Sequence, residues 1–499
     1  MKKVSNITNN YENIQNFSKE NRFDSFKLRN DASPPNIIFI FPDQWRGDAL
    51  SFLEHPVVET PFIDQMAHEG ICFTSAYTPC ASCIAARASL ATGMDPSSTG
   101  RMGYQDFVPW DYPSTFMHLL KNNSYQTMCV GKTHFFPQRA RLGFEELELY
   151  ESPYQDWDHP SDYHIWLKEK SNGMARDTCQ DLNSSSMIVH PWTHSEELHP
   201  NSWNVTRSIE LLERRDPTRP FFMQLSFHRP HPPLDPVISY FERYKGKDLP
   251  PIPIGDWASE NKQKIKKVDP SLGEMPKYLL DRARRAYYAQ LSHIDYQIGR
   301  FVRYLQGKSL MENTWIVFTS DHGELLGDHY MYRKVTAFEG STHIPMVVKP
   351  PKNSPLKIGW TCDTPVVLQD LAPTFLELGG VEIPEEMTAE SILPLIKSEN
   401  MSNRTFIHSE HSPGWQLVTD GKQKFIWHTV DDRRWFFDLT KDPQEKINQI
   451  NNPEYKKYIK MWEKRMIDIF KKRLIDGLTD GKKLIPGRII PAVRTSAIT

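Results

Sequence analysis

Cysteine is scarce in this 499-residue chain. There are six, at positions 72, 80, 83, 129, 179 and 362, too few and too scattered for the disulfide framework of a small secreted fold. No apolar run is long enough to span a bilayer. The opening Met1-Lys-Lys leads into polar, Asn-rich sequence, without the apolar core or small-residue cleavage site of a secretory signal. Charge of one sign is also missing: 60 basic against 62 acidic residues leave a net −2, which gives no electrostatic reason to expect nucleic acid or an anionic membrane as partner. These absences make a cytoplasmic globular protein the expectation, with Asn-x-Ser/Thr sequences such as Asn204-Val-Thr incidental.

What is present is enough chain for one large core and a smaller one. Residues 1–35 are polar and end in Ser-Pro-Pro, and read as an extension before the fold. Then Asn36-Ile-Ile-Phe-Ile-Phe-Pro-Asp43 forms a continuous apolar run, as in a strand buried on both faces of a parallel sheet. Similar runs occupy 126–130, 221–227, 314–320 and 344–349. Helical patterns lie between them, notably 202–214 and 280–305, where Leu291, Ile294, Ile298, Phe301 and Leu305 keep helical spacing. Strands alternating with helices predict an α/β sandwich around a mostly parallel sheet, with chemistry beyond the carboxyl ends of its strands. Near residue 397 the texture changes to short aromatic strands with Asp-Gly-Lys and Asp-Asp-Arg turns, which predicts an antiparallel meander, followed by a charged helix over 453–472. The division expected is 1–35, 36–396 and 397–499.

The segment richest in chemistry is Cys80-Ala-Ser-Cys83-Ile-Ala-Ala-Arg87-Ala-Ser-Leu90-Ala-Thr92-Gly93. Taken as a CxxC alone it allows a redox pair, half of a zinc site, or an ordinary loop cysteine. The flanks offer no small βαβ redox domain, and no second ligand pair has zinc spacing. Four further segments follow apolar runs. They are Asp43-Gln44, Gly131-Lys132-Thr133-His134, His228-Arg-Pro-His231-Pro-Pro, and Asp321-His322-Gly323 with Lys334 after it. Each alone could be a helix cap, a turn or a surface residue.

Read from Cys83, the segment is Cys-x-Ala-Ala-Arg-x-x-Leu-x-Thr-Gly. It resembles the signature of the formylglycine-dependent sulfatases, within the alkaline phosphatase superfamily. The other segments resemble that family's companions in order, and Trp435-Phe-Phe-Asp-Leu-Thr-Lys-Asp-Pro-Gln-Glu resembles its C-terminal Leu-Tyr-Asp-Leu-x-x-Asp-Pro-x-Glu. The resemblance implies an alkaline-phosphatase-like fold and hydrolysis of a sulfate monoester by formylglycine made from Cys83. It implies one divalent metal held by Asp43, Gln44, Cys83, Asp321 and His322. Calcium is expected, with manganese the alternative because many sulfatases carry Asp where this chain has Gln44. Arg87 would hold the formylglycine, while Lys132 and Lys334 would neutralise sulfate oxygens. His134 would be the base that collapses the intermediate and His231 the acid for the leaving oxygen, with His228 a neighbour.

Chemistry favours such a nucleophile. A sulfate ester repels anions and has a poor leaving group, so an acidified hydroxyl on a hydrated aldehyde attacks where a plain serine is slow. The second hydroxyl then expels sulfate by re-forming the aldehyde. Ala85 stands where the signature commonly has Pro, which points to a radical-type anaerobic formylglycine-generating maturase as partner. The expected substrate is a small-molecule or saccharide sulfate ester. The loop over 150–199, rich in Asp, His, Trp and Tyr, is the candidate for specificity. Rival readings are a phosphonate monoester or phosphodiester hydrolase of the same superfamily, and a non-catalytic binding protein that leaves Cys83 as a thiol.

Overall fold

The computed structural model describes residues 34–494, apart from 152–159, 178–183, 266 and 399–403. The expected arm over 1–35 (save its last two residues), Cys179 and part of the 150–199 loop therefore lie outside the described residues. The first ten strands are β1 (Asn36–Asp43), β2 (Ile71–Phe73), β3 (Ala76–Tyr77), β4 (Gln126–Gly131), β5 (Glu146–Leu149), β6 (Phe221–Pro230), β7 (Thr314–Thr319), β8 (Met346–Lys349), β9 (Trp360–Cys362) and β10 (Val366–Val367). Eight of them form one sheet in the order β5-β4-β6-β1-β7-β8-β2-β9, while β3 and β10 make a separate parallel pair. Within the large sheet only β8 runs against its neighbours β7 and β2. The parallel reading of residues 344–349 is thus corrected. A continuous apolar run reports burial on both faces, and a central antiparallel strand is buried in the same way.

Alternation along the strands divides two apolar layers. Ile38, Ile40, Val130, Leu225 and Phe318 face one way, and Ile37, Phe39, Phe41, Phe222 and Val317 face the other. The packing helices are α1 (Pro61–His68), α2 (Cys83–Thr92), α3 (Phe116–Asn122), α4 (Pro200–Arg214), α5 (Lys277–Gly307) and α6 (Leu371–Leu378). Ile63 of α1, Trp203 and Leu211 of α4, and Leu291, Ile298 and Phe301 of α5 cover the first face. Leu90 of α2, Phe116 of α3 and Phe375 of α6 cover the second. Helix α2 is buried at every residue. Four alanines let it lie close to its neighbours, and Gly93 at φ 66° ends it by donating its N–H to the Ser89 carbonyl. No helix among the described residues is long and apolar enough to cross a membrane.

The aromatic stretch after residue 403 forms an antiparallel sheet of β11 (Ile407–His411), β12 (Trp415–Thr419), β13 (Gln423–His428) and β14 (Arg434–Asp438), in chain order. Leu417, Ile426, Trp435 and Phe437 face Leu325, Met331 and Phe338 of the α/β part. Val418, Phe425, Trp427 and Phe436 face Trp462, Met466 and Phe470 of helix α7 (Lys456–Lys471). The segment after α7 returns to the α/β part, where Met102 donates its N–H to the Ala492 carbonyl and Arg494 to that of Gly100.

One buried ion pair makes this region acid-sensitive. Arg473 donates to both oxygens of Glu410, at 2.8 and 2.6 Å. Burial works against the Glu410 charge, but Arg473 outweighs it and holds the carboxyl at about 2, against 4.5 normally. The carboxylate is therefore still ionised in the folded chain at pH values where the unfolded chain takes up a proton. The pair's stabilisation is complete above about pH 4.5 and drains away as pH falls towards 2. Arg473→Met strands a buried charge and is expected to cost about 3–5 kcal/mol at neutral pH. Urea unfolding of both proteins checks this: their gap in stability should begin to narrow above pH 4.5, where Glu410 left buried without Arg473 takes up a proton, and should go on closing as pH falls towards 2.

Candidate active site

Four adjacent strands, β4, β6, β1 and β7, end on one edge of the sheet. Asp43 is the last residue of β1, and Asp321 and His322 follow β7 by one turn. Lys132 follows β4, and His228 and His231 lie at the end of β6. Tight backbone packing holds this edge. Gly131 sits at φ 103°, where a Cβ would stand 1.7 Å from the Ser226 carbonyl oxygen, and a Cβ on Gly323 would meet the Gly340 oxygen at 2.2 Å. No side chain fits at either place, which is why glycine flanks Lys132 and His322. The Ser320 hydroxyl accepts from the Trp45 N–H at 2.9 Å and donates to the Pro42 carbonyl at 3.0 Å, tying the ends of β7 and β1.

Cys83 begins helix α2 and points its sulfur into this edge. Sγ lies 3.2 Å from His322 Nε2, 3.3 Å from Lys334 Nζ and 3.7 Å from Asp43 Oδ1. The positive end of the helix acts on the same sulfur. Donor atoms of Asp43, Cys83, Asp321 and His322 all fall within 4.8 Å of one another. His322 Nδ1 is 3.0 Å from the Gly323 carbonyl, so that nitrogen carries the proton and Nε2 offers a lone pair to the cluster. Burial lowers the imidazole pKa, which keeps it neutral as a ligand must be. Asp43 Oδ2 is buried and accepts no well-angled hydrogen bond, although the Lys132 ammonium stands 2.6 Å away. Burial would raise this carboxyl; Lys132 and the other nearby cations instead hold it well below the usual range. Two carboxylates, a neutral imidazole and a carboxylate oxygen with lone pairs to spare fit a divalent cation.

The remaining predicted residues surround this cluster. Arg87 pairs with Asp321 at 3.0 Å and lies 3.5 Å from Asp43, so it aligns the two carboxylates. It also donates to the Lys132 carbonyl and covers the Phe41 ring at 4.6 Å. The Gln44 amide oxygen accepts from Lys334 Nζ at 2.7 Å. A cavity of about 290 Å³ opens onto Cys83, Lys132, His134, His228, His231 and Lys334, and Tyr104, Tyr332 and Val335 also line it. His231 Nδ1 meets the Pro232 carbonyl at 2.7 Å. Burial and then Lys334 push its pKa well down, so the ring is neutral in the free protein. His134 behaves oppositely. Burial and Lys132 lower its pKa, but Asp106, 3.4 Å from Nε2, and the Cys83 sulfur raise it overall.

Three participants were not apparent from the sequence. Asp106 faces His134 from a loop without any motif. Glu151 accepts from the N–H groups of Thr133 and His134, holding His134 in its left-handed conformation. Glu324 binds the Gln44 amide, and its place directly after Asp-His-Gly was the one available signal.

A family model described as Sulfatase matches residues 35–381. A second, described as N-sulphoglucosamine sulphohydrolase, C-terminal, matches residues 327–472. An arylsulfatase of Clostridium perfringens is 39% identical over 470 residues, covering 91% of this chain and 98% of its own length. This chain belongs to the sulfatase family. Like its relatives, this sulfatase hydrolyses sulfate esters. Its fold is also that of the phosphonate monoester hydrolase of Agrobacterium radiobacter, with a TM-score of 0.75, 22% identity, and 88% and 96% of the two chains covered. BT4656, solved in complex with its substrate D-glucosamine-2-N,6-O-disulfate, gives a TM-score of 0.71 at 22% identity, with 88% and 98% covered. These are alkaline-phosphatase-like folds, so the sandwich expected from sequence holds. At such identity they speak for the fold, while the 39% identical arylsulfatase favours sulfate over phosphonate chemistry.

Proposed function

We propose that the sulfatase cleaves a sulfate monoester through a formylglycine made from Cys83, beside a divalent metal held by Asp43, Gln44, Asp321, His322 and the modified residue itself. The observation that carries this reading is the position of Cys83 Sγ, where a helix N-terminus, an ammonium, an imidazole nitrogen and a carboxylate converge at the cavity floor. When bound, the metal supplies positive charge that polarises an S–O bond and acidifies a neighbouring hydroxyl. Calcium suits the oxygen ligands, and His322 with the neutral Gln44 makes manganese the alternative.

The chain's own groups do the rest. Lys132 and Lys334 neutralise sulfate oxygens and meet the negative charge that grows in the transition state. Arg87 keeps the two carboxylates aligned. Conversion of the Cys83 thiol removes one of the groups that raise the His134 pKa. The neutral ring, oriented by Asp106, takes the proton from the second hydroxyl as the C–O bond to the covalent sulfate breaks and the aldehyde re-forms. The anionic substrate offsets Lys334, so the neutral His231 ring takes up a proton from solvent as substrate binds and then delivers it to the leaving oxygen. All these groups come from residues 36–396, the catalytic portion in our division, with 397–499 as its C-terminal companion. The complex of BT4656 with a sulfated sugar supports a saccharide as one substrate class, alongside small sulfate esters. The described cysteines are all buried, and their scarcity supports a cytoplasmic location, while Ala85 in the motif supports a radical-type maturase.

Two measurements test the proposal. Protein made alongside each known type of maturase should yield a Cys83 peptide whose mass shows thiol replaced by aldehyde. The matured protein should turn over an aryl sulfate in preference to a phosphonate monoester. An unmodified Cys83 with every maturase removes the nucleophile from this account, and a strong phosphonate preference removes the sulfate specificity.

A further inference from the structure

Gln44 is held between two opposite charges. Lys334 Nζ donates to its amide oxygen at 2.7 Å, and the same ammonium reaches Cys83 Sγ at 3.3 Å. The amide nitrogen donates to Glu324 Oε2. Glu324 is 1% exposed. Its other oxygen is occupied, accepting the N–H groups of Leu326 at 2.7 Å and Arg333 at 2.6 Å. The Gln44 backbone is pinned as well: at φ 71° its N–H reaches Asp321 Oδ1 at 3.0 Å, and its carbonyl accepts from the Tyr287 hydroxyl at 2.7 Å. The side chain therefore has one free choice, which end of the amide faces which charge.

We infer that Glu324 is a positioning residue that locks the Gln44 amide with its oxygen towards Lys334 and the Cys83 cluster, and so makes Gln44 competent as a metal ligand. The inference rests on the metal site proposed above and adds a residue to it. Turning the amide over would set NH₂ against an ammonium and C=O against a carboxylate, exchanging two charge-assisted hydrogen bonds for two repulsions in a buried place. The same geometry accounts for a neutral residue at position 44. A carboxylate there would lie against Glu324, so amide and carboxylate form a matched pair. Glu324 touches neither substrate nor the reacting atoms; its effect passes through Gln44.

A cycle of variants in the matured, metal-stripped, full-length chain tests this, with Ca²⁺ and separately Mn²⁺ titrated by calorimetry. In Glu324→Gln the new amide oxygen keeps the bonds from Leu326 and Arg333. Its NH₂ then confronts the Gln44 NH₂ and turns nitrogen towards the metal. Metal affinity should fall by about 10–100-fold. Adding Gln44→Glu restores a donor–acceptor pair and an oxygen facing the site, so the double variant should recover at least about tenfold of that loss. Melting curves of the metal-free variants report whether each is folded. The inference is overturned if Glu324→Gln binds both ions as tightly as the unaltered chain, or if the double variant binds no better than Glu324→Gln. An unaltered chain that takes up neither ion overturns this inference and the proposed metal site together. Uptake by the unaltered chain with no effect of Glu324→Gln overturns the inference alone.

Discussion

Cys83→Ala is expected to lower kcat/KM for an aryl sulfate by roughly 10⁴-fold or more, the scale seen when an activated nucleophile is deleted from a built site. The loss should fall on kcat. Lys132 and Lys334 remain to hold the sulfate, so KM should change little. Alanine suits the first turn of α2, which already carries Ala85, Ala86, Ala88 and Ala91, and the melting temperature should stay close to that of the parent. Steady-state kinetics with a thermal melt on the same preparation decide the matter. A variant that retains even a tenth of the activity means that the covalent step does not begin at position 83.

Metal removal is expected to have the next largest effect. Stripping the protein with a chelator should cost about 10³-fold in kcat, because several kcal/mol of transition-state stabilisation from a bound cation correspond to that many decades. It should also lower the melting temperature. An ion present at about 100 times its dissociation constant stabilises the folded state by about 2.7 kcal/mol. Here it would also separate Asp43 from Asp321, two buried carboxylates that otherwise share the Arg87 guanidinium. Returning Ca²⁺ or Mn²⁺ should restore both quantities, and the ion that restores more activity at equal occupancy identifies the working metal. Chelation that shifts neither activity nor melting would mean that Asp43, Asp321 and His322 are a structural ion-pair network only.

How far the sequence could be read depended on how local each signal was. Strands β1, β4, β6 and β7 were visible because continuous apolar runs mark burial on both faces, and α5 because its apolar positions repeat at helical spacing over many turns. The direction of β8 was not visible, since burial carries no sign of strand polarity. Asp43, Lys132, His231 and Asp321 could be named because each follows an apolar run closely, so strand ends predicted their location. Asp106 and Glu151 could not. They act on His134 from loops whose path is set by packing of the whole molecule. Arg87 could be named from its motif but its partners could not, for Asp43 and Asp321 lie 44 and 234 positions away along the chain.

The sequence by itself determined the fold class and the family and named most of the candidate groups, because apolar periodicity and short motifs are properties of neighbours along the chain. Tertiary structure alone decided which of those groups meet. It brought four strand ends to one edge, set the Cys83 sulfur between Lys334 and His322, and turned the Gln44 amide through Glu324. Distances of 3 Å between residues hundreds of positions apart depend on how the core packs, and no local pattern in the chain encodes them.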